Sequence, residues 1–542
     1  MCKHAETPLK PANMRFAIAF ILLSASFTNA QSQDETTPLR ITLGEAIEIA
    51  LINNYALQAS RLAEEDARLG IKAAFGTAFP TIEGASSYTR NIKEANPFAG
   101  SSAGDFFSGF AFIDWLGFNE TARTDGLDVT NPITFAEFAD RQRRGLDAAG
   151  ILPTAPSDNP FSVANQYLNS ITITQKILDA PNWNRMLHPD GYRTALEQIS
   201  KAAERQEQIV IGQVREAFYG ALLATQEARV AAQSVSRTQA SRNETAQRVS
   251  NGILPKIERL SMDVELANQK SGLVQARTRA SNSLDQLKYL LGLDLGQELI
   301  LNGSLEIHEI SPYLSISTTD ALARATLQRP DLEEARMSHR LALNEVRANK
   351  MSRFPTLNAF ANFNYSGRVP DNRTFTVTSP TNPFSFSQGS NTYFSKVYWQ
   401  SSVNVGLNLQ WTLFDGLQRR RTVQRAEVAA RQAGIGLEQL TAATKMEIEV
   451  ALRNLDAAYH QIDSQEVNVA NAELNYEYTL ARSNEGVANT LQVRAASSQL
   501  DTSRLNYLRA VHGFLVAQSN LEVALGIPIE KQTDIQLASA NK

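Results

Sequence analysis

The stretch that most narrows the possible folds is VNVGLNLQWTLFDG at 403–416. Its apolar residues Val403, Val405, Leu407, Leu409, Trp411 and Leu413 alternate with Asn404, Gly406, Asn408, Gln410 and Thr412. Successive side chains of a strand point to opposite faces, so the pattern predicts a strand with one oily and one wet face. Directly behind it the composition turns to arginine and alanine, and helical patterning runs over 416–485. At ~1.5 Å rise per residue that helix is on the order of 100 Å long, far beyond the helices of ordinary globular domains. Within it Ile448, Leu452, Leu455, Tyr459 and Ile462 are spaced alternately by four and three, the seam of a coiled coil. Ile211, Val214, Phe218 and Ala221 keep the same rhythm earlier in the chain.

The plan occurs twice. Laid over each other, 42–82 and 317–357 share Ala46/Ala321, Ala50/Ala325, Leu57/Leu332, Arg61/Arg336 and the Phe-Pro-Thr of 79–81 and 354–356. Farther on, Arg248, Gly252, Leu291 and Gly292 fall on Arg482, Gly486, Leu525 and Gly526. The spacing predicts two internal repeats, 31–316 and 317–527, with a C-terminal tail at 528–542. The first would hold a helix at 42–79, strands at 82–90 and 168–178 around a long loop 91–167, long helices at 182–250 and 254–292, and a linker 293–316. The second would hold a helix at 317–353, strands at 356–367 and 400–414 around a loop 368–399, and long helices at 416–485 and 488–526. In both, the proline of Phe-Pro-Thr stops the first helix and pushes its predecessor toward extended geometry.

From Met14 the segment MRFAIAFILLSASFTNA has a basic start, an apolar run and a small-residue end, which predicts a secretory signal peptide over 1–30, cleaved after Ala30. Residues 1–13 fit that pattern poorly, which suggests translation from Met14. The single cysteine, Cys2, excludes a disulfide framework and a cysteine-based metal site or nucleophile. A net charge of −4 does not suggest a nucleic-acid partner. Gly100-Ser101-Ser102-Ala103-Gly104 fits a hydrolase pattern, but no strand leads into it and no helix leaves it. The six histidines show no metal-ligand spacing and no glycine loop suits a phosphate, so no catalytic, cofactor or metal residues are expected and the chain does not read as an enzyme.

Past the signal segment there is no apolar run of eighteen residues, so a spanning helix is not expected and any span must use strands. Four strands cannot close a transmembrane barrel, which takes about eight. Open edges in lipid are prohibitive, so a barrel would have to be shared between chains.

In this order and twice over, the motifs resemble those of the TolC-like outer-membrane efflux proteins: TLGEAIEIALINN with its FPT ending, LFDG at 413–416, the R-x-x-x-G turns at 248–252 and 482–486, and the Leu-Gly endings. The resemblance implies a mixed α and β membrane protein, a homotrimer whose four strands per chain form a twelve-stranded transmembrane β-barrel continued by a periplasmic α-helical barrel. It implies the outer membrane of a Gram-negative bacterium, and a passive exit duct coupled through a periplasmic adaptor to an inner-membrane pump, RND-type or ABC. The exit duct of a type I protein secretion system would have the same tube. A periplasmic coiled-coil spacer is the reading from another class, and the strands oppose it.

Under this resemblance Val403, Val405, Leu407, Leu409 and Trp411 face outer-membrane lipid, while Asn404, Asn408 and Gln410 face a wet lumen. Arg248, Gly252, Ile253, Arg482, Gly486 and Val487 match the hairpin tips that dock on the adaptor; equally, each glycine permits a tight turn and each arginine sits on a solvated helix end. The acidic positions of the family's periplasmic constriction fall here on Gln492 and Ala495, which leaves Glu258 as the acidic candidate. The loop 91–166 carries Phe98, Phe106, Phe107, Phe110, Phe112, Trp115 and Phe118, too many aromatics to remain in water. A cap over the pore, a subdomain packed on a neighbouring protomer and a contact patch all remain open for it.

Overall fold

The computed structural model describes residues 38–92, 110–126, 131–151, 163–306, 311–379 and 382–527. The expected signal peptide, the tail 528–542, Phe98, Phe106, Phe107 and the Gly100–Gly104 motif lie outside the described residues. The first part of the chain runs β1 (Leu39–Ile41), α1 (Leu43–Asn53), α2 (Tyr55–Gly76), β2 (Thr81–Arg90), α3 (Phe110–Thr124), α4 (Phe135–Ala148), β3 (Asn165–Leu178), α5 (Ala180–Leu187), α6 (Tyr192–Ser250), α7 (Lys256–Leu291) and β4 (Leu299–Leu301). After a short 3-10 turn at Pro312–Ser315 come α8 (Thr318–Gln328), α9 (Pro330–Met351), β5 (Thr356–Val369), β6 (Thr374–Ser379), β7 (Asn382–Ser390), β8 (Trp399–Gln410), α10 (Gln418–Asn484) and α11 (Thr490–Leu525).

One lane order governs the molecule. The sheet is antiparallel throughout in the order β2-β3-β5-β8. Next to it α2 packs on α6, α6 on α9, and α9 on α10. Toward the far end α7 packs on α6, α6 on α11, and α11 on α10. At every level the outer lanes are therefore β2, α2 or α7 on one side and β8 or α10 on the other.

At the waist two short helices close over the lanes. Ala46 and Ala50 of α1 pack on Val210, Val214, Phe218, Leu287 and Leu291. Ala321 and Ala325 of α8 pack on Ile448, Leu455, Phe514, Leu521 and Leu525. Alanine lets these helices approach closely, and burying a side chain such as Phe218 or Phe514 contributes about 1.5–3 kcal/mol. The seam at 448–462 thus lies in the core, with Ile448, Leu455 and Ile462 buried.

Several elements differ from the sequence expectation. The helix expected over 42–79 is two, α1 and α2, broken at Asn54, which takes extended geometry (φ −62°, ψ 127°). Its Oδ1 accepts from the Ala56 and Leu57 amides and its Nδ2 donates to Leu290 O at 2.8 Å, so the break is capped and anchored. The helix expected over 317–353 breaks likewise at Arg329, because Pro330 disfavours helical geometry in the residue before it. Arg329 is 3% exposed, and its guanidinium reaches Asp331, Glu447 (2.7 Å) and Ala524 O (3.1 Å). The helix expected over 182–250 splits into α5 and α6 at His188, again before a proline, Pro189. Arg185–Glu345 (2.7 Å) and the buried amide pair Asn184–Asn344 (2.7 Å) hold α5 to α9. The strand expected over 400–414 is Trp399–Gln410; the chain then turns through left-handed Gly416 (φ 65°) and Leu417 (φ 67°). Asp415 secures that turn by accepting from the Arg419 amide and Nε. The linker 293–316 contains β4, which pairs in parallel with β1.

Candidate functional site

The wall comes first. The register sets Ile173 opposite Ile82 and Ala361, Ile171 opposite Gly84 and Phe363, and Val405 and Val403 opposite Ala361 and Phe363. These residues share one face, and along β8 they stand open: Val403 is 67%, Val405 76% and Leu407 66% exposed, with Leu409 close behind. The opposite face carries Asn404 across from Asn362, Asn408 across from Asn358, and Gln410 across from Thr356. Phe360 interrupts this polar face; its ring covers Gly406, where a Cβ would stand 2.8 Å from Phe360 Cζ. A contiguous apolar face of this extent is not stable against water, whereas lipid suits it.

Aromatic groups mark both margins of that face. At one margin Tyr88 stacks on Tyr167 (4.8 Å), and Trp399 stacks on Tyr167 (5.3 Å) and Tyr365 (5.1 Å). At the other, Trp411, Phe414, Phe79 and Phe354 are exposed beyond the strand ends, and Trp411 Nε1 donates to Arg353 O. Trp411 thus lies past the strand rather than within it. At ~3.3 Å per residue β8 is about 40 Å long from Trp399 to Gln410, which at a tilt of ~40° would match the thickness of a bilayer core.

The loops at the Trp399 end are structured. In the expected loop 91–167, α3 and α4 pack through Phe112, Trp115 and Phe135, while Phe118 and Phe138 close on Phe384 of the β6–β7 hairpin inside the expected loop 368–399. Gly145 lets α4 approach the hairpin: a Cβ there would stand 2.0 Å from Phe384 O. Phe112, Trp115 and Phe118 are thus partnered within their own chain.

The tips come at the other end of the lanes. Gly252 (φ 76°) and Gly486 (φ 74°) are left-handed, as a helix stop followed by reversal requires. The Ile253 amide donates to Arg248 O (2.9 Å) and the Gly252 amide to Val249 O; the Val487 amide donates to Arg482 O (2.8 Å) and the Gly486 amide to Ser483 O. This is the two-bond Schellman arrangement, so Arg248 and Arg482 supply backbone carbonyls to the turn whatever their side chains do. The Arg248 side chain pairs with Glu244, and Arg482 is exposed. Ile253 and Val487 are exposed beside them, and Ile257, Leu260 and Val264 extend an open apolar stripe up α7.

The three constriction candidates part company. Gln492 is the third residue of α11 and forms a capping box with Asn489: its amide donates to Asn489 Oδ1 (2.9 Å) while its Oε1 accepts from the Asn489 amide (3.1 Å). Ala495 is exposed three residues farther on. Glu258, in the first turn of α7, accepts from Thr490 Oγ1 at 2.8 Å and so ties one tip to the other. Sequence reasoning missed both the capping box and this tie, although Asn-x-x-Gln ahead of a helix is a readable signal.

Ion pairs stitch neighbouring lanes. Arg242–Asp263 (2.7 Å) joins α6 to α7, Arg237–Asp501 and Arg509–Glu227 (2.9 Å) join α6 to α11, and Arg504–Glu473 (2.7 Å) joins α11 to α10. At the waist burial disfavours the Asp331 carboxylate, yet the Arg329 hydrogen bond and the charges of Arg205 and Arg329 outweigh it and hold Asp331 below the usual range. The hydrogen bond from Arg185 does the same for Glu345. Among the described residues no cluster of three His, Cys, Asp or Glu could hold a metal, and no helix is long and apolar enough to cross a membrane.

The geometry as a whole is a two-faced sheet set on long helical lanes. Residues 321–527 match the family described as outer membrane efflux protein. The solved Campylobacter jejuni CmeC outer membrane channel is similar at 15% identity and a TM-score of 0.64, over 92% of this chain and 89% of that one. The Vibrio cholerae outer membrane protein VceC is similar at 14% identity and a TM-score of 0.61, over 89% of this chain and 96% of that one. The Neisseria gonorrhoeae MtrE outer membrane channel, in its open state, is similar at 12% identity and a TM-score of 0.61, over 89% and 88%. A comparison with curated proteins finds no match. The fold is thus that of the TolC-like outer-membrane channels.

Proposed function

We propose that the chain is the outer-membrane exit duct of a tripartite efflux system, a homotrimer that passively conducts substrates delivered by an inner-membrane pump through a periplasmic adaptor. The observation that carries this reading is the shared lane order. The sheet ends on unpaired β2 and β8, and the helical layers end on α2 or α7 and on α10, so one operation that brings β8 beside a second copy's β2 also brings α10 beside its α2 and α7. Open strand edges are not tolerated in lipid, and copies of the chain are the partners with matching edges. The likeness to the TolC-like proteins supplies the number three, hence twelve strands and a helical tube beneath them. In this reading the face of Val403, Val405, Leu407 and Leu409 meets lipid, that of Asn404, Asn408 and Gln410 meets the lumen, and Gly252 and Gly486 lie at the periplasmic end, where an adaptor docks.

The test is physical. Unheated outer-membrane fractions should show a trimer that heating converts to monomer, and the purified trimer should conduct ions in a planar bilayer. A monomeric periplasmic species would overturn the reading. The word efflux in the family description supports the efflux reading.

A further inference from the structure

Between the two hairpins the lower lanes enclose a cavity of about 250 Å³, lined from α6, α7, α10 and α11 of one chain. Its charges do not cancel. Arg237 is neutralised by Asp501, and Arg509 by Glu227. Among the described residues Arg494 makes neither hydrogen bond nor ion pair, and Arg279 only reaches the Gln275 carbonyl on its own helix, at 3.5 Å. Against these two unpaired guanidiniums stands one carboxylate without an ion pair, Glu265, which accepts from Gln269 Nε2 at 2.9 Å. Tyr476 adds an aromatic surface, and Ser498 and Ser241 add hydroxyls.

The position of the cavity matters as much as its charge. At ~100° per residue, Ser234 of α6 and Asp501 of α11 point away from Phe218 and Phe514, which face the waist helices α1 and α8. Twelve helices about 10 Å apart enclose a passage roughly 28 Å wide, which six short helices would block. The waist helices therefore lie outside the tube, and the cavity opens on the inner wall. That placement rests on the duct reading; the cavity itself, lined by one chain, does not.

We propose that this cavity is a binding site for small organic anions on their way through the duct, with Arg494 engaging the acidic group and Tyr476 the apolar body. Arg279, roughly 27 Å farther along the lanes at ~1.5 Å per residue, stands too far off to share that group. Planar guanidinium groups pair well with carboxylates and sulfonates, and they retain their charge at all physiological pH values.

The probes are 1-naphthalenesulfonate and, as its cationic counterpart, 1-naphthylmethylammonium, measured by equilibrium binding to the purified full chain in detergent. The sulfonate is expected to bind saturably and at least about 10-fold more tightly than the ammonium. Arg494→Gln should weaken sulfonate binding by about 10-fold or more, the loss of a charge-assisted contact, whereas Arg279→Gln should change it by less than about 3-fold. Glu265→Gln should tighten it. Equal affinity for the two probes, sulfonate binding unchanged in Arg494→Gln, or no tightening in Glu265→Gln would each overturn the proposal. Native gels and bilayer conductance on the same samples separate the two readings, since a chain that binds the sulfonate without forming conducting trimers would retain the site and refute the duct.

Discussion

Thr490 Oγ1 donates to Glu258 Oε2 at 2.8 Å, so the first turn of α11 is fastened to the first turn of α7 although the two belong to different hairpins. This contact lies at the free end of the lanes, beyond the waist cores. Its loss therefore bears on how far the tips can part and little on whether the chain folds. Thr490→Val removes the donor at nearly constant shape and is predicted to raise the conductance of purified trimers. The expected stability cost is about 1 kcal/mol, that of one partly buried hydrogen bond. Conductance equal to that of the parent channel would mean that this tie does not restrain the opening.

The wall makes a paired prediction. Leu407→Arg places a cation against lipid and should impair assembly, at about 2–4 kcal/mol if the position is near midplane. Asn408→Arg, its neighbour on the opposite face, should leave heat-modifiable trimers intact and shift ion selectivity toward anions. Equal loss of trimers in both would contradict the two-faced assignment.

The waist makes a prediction about pH. Asp331 and Glu345 are held below the ordinary carboxylate range, the first by Arg329 and Arg205 against burial, the second by Arg185. For a depressed carboxylate the stabilisation is complete above the unfolded pKa of ~4 and fades as pH falls through the folded value. Thermal stability of the trimer should therefore be level from neutral pH down to about 5 and decline below about 4. Asp331→Asn and Glu345→Gln should each lower the neutral plateau and flatten the acid decline. An unchanged acid limb in both variants would remove these pairs from the account.

Much of this architecture is legible in local pattern, and the parts that are not have definite physical reasons. Alternation over 403–410 is a property of one strand, and the seam at 448–462 of one helix, so both can be read without knowing what they touch. The breaks before Pro189 and Pro330 are equally local, and reading these stretches as continuous helices overlooked the restriction a proline places on the residue before it. The break at Asn54 is harder, because its anchor is the Leu290 carbonyl, far away in sequence. The same distance hides the fate of the loop aromatics, since Phe118 and Phe138 are completed by Phe384. At Gln492, a position that resemblance assigns to a constriction, the capping box with Asn489 is a local feature that Asn-x-x-Gln makes readable and that the resemblance does not give.

Topology can be tested on whole cells. With Cys2 replaced, single cysteines at Arg143 or Ser387 should react with an impermeant thiol reagent added outside, because α4 and β7 stand at the Trp399 end of the wall. Cysteines at Asn251 or Glu485 should not, because the tips lie at the other end of lanes on the order of 100 Å long. Labelling of the tips from outside would reverse the assignment.

The glycines offer the sharpest separation of folding from coupling. Gly486 and Gly526 are both left-handed, at φ 74° and 71°, and both follow a long helix. A Cβ at Gly526 would stand 2.9 Å from Arg329 Cα, in the buried network that joins α9, α10 and α11. A Cβ at Gly486 would meet nothing within 4 Å. Gly526→Ala must therefore displace backbone at the waist, and it is predicted to reduce the yield of trimers. Gly486→Val adds only the strain of a β-branched residue at positive φ, about 1–3 kcal/mol, which the turn relieves by moving Val487 and the Arg482 carbonyl. Trimers should insert normally, while cross-linking to the adaptor and export both fall. If Gly486→Val exported normally with normal cross-linking, the tip geometry would not be what couples this duct to its pump. If instead it lost its trimers as Gly526→Ala does, the turn at 486 would belong to folding, and the docking role would pass to the open stripe of Ile257, Leu260 and Val264 on α7.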